Sequence, residues 1–122
     1  MRELLNSLPA SAIPHGRWWP MEIETDLMWP TLAPGDAAIV VPCHSYGGEG
    51  VYAFHDGEHT VFYRAEHGCL TVDNSQYWST HRIVRKLDRD GRAWFDVNVI
   101  GRVFASVRPF GPGLAEGGWS GP

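Results

Sequence analysis

Turn formers cut this chain into short pieces. Fourteen glycines and nine prolines are spread along its 122 residues, and valine, threonine and aromatic side chains fill the segments between them. Glycine punctuates because it admits positive φ, and proline because it fixes φ and removes a donor. Short β-branched and aromatic runs bounded in this way read as strands joined by turns, so a mainly β fold is expected. With 43% apolar residues the chain can bury one hydrophobic core and is too short for two.

A short N-terminal helix is expected from Arg2 to Leu8, stopped by the stretch from Pro9 to Pro14. From Trp18 the pattern turns extended: Trp19, Met21 and Ile23 alternate with Pro20, Glu22 and Glu24, and Pro20 marks this piece as an edge strand. A turn-rich passage, Thr25 to Asp36, precedes the apolar strand Ala37 to Val41. Strands Val51 to Phe54 and Thr60 to Ala65 flank an Asp56-Gly57 turn as a hairpin, and His67-Gly68 turns the chain into Cys69 to Val72. Ser79 to Leu87 runs to a turn at Asp90-Gly91, and Trp94 to Val107 reads as the longest extended stretch, bent or bulged at Gly101. The expected organisation is an N-terminal arm over residues 1–17, one folded domain over 18–110 and a mobile tail over 111–122.

A net charge of -4 argues against broad binding to phosphate backbones, which rests on clustered Lys and Arg. Arg82, Arg85, Lys86, Arg89 and Arg92 do cluster, but Asp88 and Asp90 lie among them, and the segment reads as a solvated hairpin. Direct nucleic-acid binding is therefore not expected. Cys43 and Cys69 lack any CxxC pairing, which fits free thiols in a reducing compartment. No apolar run approaches the roughly 20 residues that span a bilayer, and a cytoplasmic location is expected.

Four blocks of sequence carry chemistry. They are TDLMWPTLAPGD (Thr25 to Asp36), DGEHTVFYR (Asp56 to Arg64), VDNSQYW (Val72 to Trp78) and VIGRVFASV (Val99 to Val107). In order and spacing they resemble the nucleophile segment, the general-base strand, a DNxxY turn and the closing strand of the LexA, UmuD and phage-repressor self-cleaving serine peptidases. The resemblance implies a LexA/signal peptidase-like twisted β-ribbon. It also implies where catalysis would sit, and there the chain departs from the pattern. Leu27 occupies the serine position and Phe62 the lysine position. Serine-lysine chemistry needs a hydroxyl to attack and an amine kept neutral by burial to take its proton. Leucine and phenylalanine supply neither. The one lysine, Lys86, lies among arginines, so no shift of register restores the pair.

The expected protein is a catalytically degenerate pseudopeptidase that acts by binding. No Ala-Gly or Cys-Gly cleavage bond precedes Leu27, and no cofactor is expected. The partner expected is a repressor or transcription component of a phage or mobile element; the alternative is a UmuD-like accessory role beside a translesion DNA polymerase in the SOS response. Trp18, Trp19 and Trp29 cluster around the nucleophile-like segment as candidate partner contacts, with packing in the core as the competing role. The resemblance further implies a homodimer through the closing strand, with Val99, Ile100, Arg102, Val103, Phe104 and Val107 at the interface and an unpaired edge open to extension. Cys43-His44 and His67-x-Cys69 are zinc-capable pairs, but their spacing is not that of a zinc knuckle, and no metal is expected. His15, His55, His59 and His81 read as surface residues.

Overall fold

A computed structural model describes residues 17–108, leaving the expected arm and tail outside the described residues. Seven antiparallel strands form one sheet: β1 (Trp19–Glu22), β2 (Ala37–Pro42), β3 (Gly50–Asp56), β4 (His59–Glu66), β5 (Cys69–Thr71), β6 (Ile83–Lys86) and β7 (Val99–Val107). Their order across the sheet is β1-β2-β7-β3-β4-β5-β6. The fold is mainly β, as expected, and β1 with its Pro20 is an edge strand.

Two tight turns set the register of the central strands. Pairing from Gly50↔Ala65 to Asp56↔His59 leaves Gly57-Glu58 as a two-residue loop, with φ of 64° at Gly57. The next loop is His67-Gly68, with φ of 51° and 73°, where positive values at both positions match the right-handed twist of the flanking strands.

The stretch from Trp94 to Val107 is not extended throughout, contrary to the alternation of its residues. A helix occupies Arg89–Asn98; with the four-residue helix α1 (Trp78–His81) before it, this is α2. Asp88 caps α2 by accepting a 2.8 Å hydrogen bond from the Gly91 amide, so Asp90-Gly91 belongs to a first helical turn instead of a hairpin turn. Gly91 is buried against β6, and a Cβ there would collide with the Lys86 carbonyl oxygen. The expected hairpin from Arg82 to Arg92 is accordingly β6 followed by the start of α2. Burial of Phe95 outweighs the local strand preference: it is fully buried against the sheet.

Successive residues of a strand face opposite sides, and both faces of this sheet are covered. On one face Ile23, Met28 and Leu32 pack against Ala38, Val40, Ala53 and Phe62. On the other, Phe95 of α2 packs against Tyr52, Phe54, Val61 and Leu70. Phe95 meets the rings of Tyr52, Phe54 and Tyr46 edge-on, with centroids 4.9, 5.0 and 5.6 Å away.

Strand β7 is internal, so the expected unpaired edge is corrected to part of one side. It pairs with β2 from Gly101 to Val107, but with β3 only from Val99 to Arg102. Beyond Arg102 the β3 side has no partner strand among the described residues. Arg102 shows why: its guanidinium donates to the carbonyls of Gly47 and Glu49 and fixes the loop where β3 begins. Pairing is irregular on both sides of β7, at Ala53/Phe54 and Ile39/Val40. Gly101 lets β2 approach, since a Cβ there would strike the Val41 carbonyl.

Candidate functional site

The segment from Ile23 to Asp36 has no regular structure, yet its backbone is hydrogen-bonded along its length. Trp29 and Leu32 amides donate to the Asp26 and Met28 carbonyls at 3.1 and 3.0 Å, placing Met28 and Leu32 on the buried side. Gly35, at φ 91°, reverses the chain, and its amide donates to the Ile23 carbonyl at 3.0 Å. Buried Asp36 closes the turn by accepting from the Ala33 amide at 2.9 Å. Arg108, directly after β7, donates to the Asp36 carboxylate at 3.1 Å and to the Pro30 carbonyl at 3.2 Å.

The turn after β5 holds this segment from its other end. The Asn74 side chain donates to the Asp26 carbonyl, and its backbone amide to the Leu27 carbonyl, both at 2.9 Å. The Tyr77 hydroxyl donates to the Asp26 carboxylate at 2.7 Å, which raises the phenol's pKa. Thr31 donates to Asp73 at 2.5 Å, and Arg64 grips the same carboxylate through two 2.8 Å bonds. Burial pushes the Asp73 carboxyl upward, but the hydrogen bonds from Arg64 and Thr31 and the guanidinium charge outweigh it and hold the group below its ordinary value.

Leu27 is thus fixed by its main chain, and its half-buried side chain lines a depression of about 270 Å³ with Tyr63, Val72, Tyr77, Ile83 and Val84. Phe62 lies elsewhere, 4% exposed among Met28, Val51 and Ala53. Leu27 is not among the described residues packed on that cluster. Alternation along β4 puts Phe62 on one face and Tyr63 on the other, and Tyr63 is the residue beside Leu27. Burial first, then the charge of Asp56, raises the Tyr63 phenol. The depression therefore offers apolar contact and two phenolic hydroxyls, and no amine lines it. Lys86 is exposed on β6.

The other expected site residues are dispersed. Trp29 is 51% exposed, while Trp18 and Trp19 are half-buried. Trp19 lines a broader depression of about 740 Å³ with Cys43, His44, His55, Val99 and Ile100. Val103 packs on the core, Val107 is 8% exposed, and Arg102 is committed to its loop, which leaves Phe104 as the exposed apolar residue of β7 at 51%. Both cysteines are free and half-buried, and burial raises the Cys43 thiol. Of the histidines named from sequence, His55 and His59 are exposed; His15 and the side chain of His81 lie outside the described residues. Among the described residues, no group of three His, Cys, Asp or Glu could hold a metal ion, and no helix is long and apolar enough to cross a membrane.

Sequence reading missed Arg64, Arg108 and the Ile83-Val84 pair. Arg108 lies 72 positions from Asp36 and Thr31 lies 42 from Asp73, so no local spacing announces either contact. No protein-family model matches the chain, and no curated protein or solved structure matches it.

Proposed function

We propose that this chain is a non-catalytic protein-interaction domain of the LexA/UmuD type, a pseudopeptidase that regulates a repressor or transcription component of a phage or mobile element in the cytoplasm. The observation that carries this reading is the rigid presentation of a residue with no chemistry. The Asp26–Asp36 turn is held at Asp26 and Leu27 by Asn74 and at Asp36 by Arg108, yet the side chain at the nucleophile position is leucine. A turn anchored this firmly around an inert side chain serves recognition, with Leu27 and exposed Trp29 as contacts. Self-association uses the open side of β7 beyond Arg102, where Phe104 is exposed.

Incubation at alkaline pH, alone and with a LexA-type repressor, is expected to give no specific fragment. A discrete cleavage product abolished by one side-chain substitution would overturn the assignment. Sedimentation is expected to show a dimer that Phe104→Glu dissociates; a monomer at high micromolar concentration sinks the self-association.

A further inference from the structure

At the far end of the sheet, β6 pairs with β5 and has no partner on its outer side among the described residues. All four of its residues are exposed, Ile83 by 56% and Val84 by 39%. An exposed β-branched pair on an open edge is a template for another strand, because its main-chain donors and acceptors already point outward.

Ile83 borders two depressions. One is the Leu27 depression with Tyr63 and Val84; the other, of about 280 Å³, includes Cys69, Thr71 and Arg82. Thr71 pairs with Arg64, the neighbour of Tyr63, so alternation puts Tyr63 and Thr71 on opposite faces of the sheet. The edge therefore has an apolar recess on either face, where successive side chains of an added strand would point.

Charge selects the occupant. Half of the chain's ten cations lie between Arg82 and Arg92, on a protein of net charge -4. The ion pairs among the described residues are Arg64–Asp73 and Arg108–Asp36, so none of these five cations has a carboxylate within ion-pair distance there. Arg82 and Arg85 rest over the rings of Trp78 and Trp94, at 4.2 and 4.3 Å, while their residues stay exposed. Guanidiniums already ordered this way lose less freedom when a carboxylate arrives. Glu66 is the one carboxylate in either lining.

We infer that β6 is an augmentation site for an extended acidic peptide of a partner protein, one in which apolar residues alternate with Asp or Glu. The inference rests on the reading of the chain as a protein-binding domain and extends its Leu27 surface to the sheet edge. The peptide's main chain pairs with Ile83–Arg85, stopping short of the Lys86 carbonyl that Gly91 of α2 covers; an apolar side chain enters the Leu27 depression, and the peptide's carboxylates meet Arg82, Arg85 and Lys86. A nucleic acid would satisfy the cations but neither the main-chain edge nor the recesses.

The test is an amide-resonance titration of the isotopically labelled whole chain. The probes are a synthetic peptide alternating valine and glutamate, its valine-lysine counterpart and a single-stranded oligonucleotide. The valine-glutamate peptide is expected to shift Ile83–Lys86, to bind at least about tenfold tighter than the lysine version, and to weaken roughly tenfold between about 50 and about 500 mM salt. Replacing Arg82 and Lys86 together by Glu is expected to reduce binding about tenfold while resonances elsewhere stay in place. Absence of shifts with the acidic peptide, equal binding of both peptides, or preference for the oligonucleotide would each overturn the inference. Shifts confined to β7 would overturn it as well, yet would leave the protein-binding reading standing. Sedimentation of the charge-reversed chain separates the two, since the β7 association does not involve Arg82 or Lys86.

Discussion

On one face of the sheet the cover is a helix; on the other it is a length of chain with no repeating structure. Helix α2 is attached through aromatic rings, with Phe95 buried among Tyr52, Phe54 and Tyr46. The segment from Ile23 to Asp36 also buries apolar side chains, but its path is dictated by directional bonds: Asn74 to Asp26 and Leu27, Thr31 to Asp73, Arg108 to Asp36. Apolar packing specifies contact and leaves orientation loose, whereas a chain of hydrogen bonds specifies orientation. The cover that carries Leu27 is the one held by hydrogen bonds.

If that contrast is right, the two faces fail differently. Phe95→Ala should cost the most, about 3–5 kcal/mol, by leaving a cavity under α2; urea denaturation measures it, and a cost under about 1 kcal/mol would show that α2 is held by something else. Asn74→Ala comes next, at about 1–3 kcal/mol, because Asn74 is 3% exposed and its side chain makes two bonds, to the Asp26 carbonyl and from the Gln76 amide, that alanine cannot replace. Here the sharper readout is local: amide exchange should accelerate from Asp26 to Asp36 and stay unchanged in α2.

Asp73→Asn tests the charge in the network and should cost about 1–2 kcal/mol near neutral pH. The folded carboxyl titrates below its ordinary value of about 3.9, so its contribution is complete above that value and is lost as pH falls through the folded one. Wild type and variant should therefore converge in stability in acid. A gap that persists there would assign the effect to shape. The smallest effect is expected from Tyr77→Phe, whose hydroxyl bond to Asp26 is part-buried, so that water can replace it at the carboxylate; its unfolding midpoint should match wild type within error.

Legibility from sequence followed the same division. Gly57 and Gly68 reveal hairpins because glycine takes positive φ without steric cost. The strand Val99 to Val107 was legible to its last residue. Helix α2 was not, since the residues from Trp94 onward alternate like a strand and only packing of Phe95 decides against it; Asp88 as a helix cap was the available local signal. At the candidate site, Leu27 could be named, as could the turn containing Asn74. Its neighbour Tyr63 could not, because being one residue from Phe62 means facing the opposite side of the sheet, and that side is chosen by the whole core.

The position of β7 bears on how the protein is made. It is the last of the seven strands in chain order, and it lies between β2 and β3. Until β7 is made, the finished order leaves β1–β2 and β3–β6 with no strand to join them, and the inner edges of β2 and β3 have no native partner. Sheet completion is therefore a late, long-range event, slow compared with hairpin closure and exposed to wrong pairing while it waits. A nascent chain halted before Val99 should be recognised by chaperones as unfinished, although most of its strands have already been made.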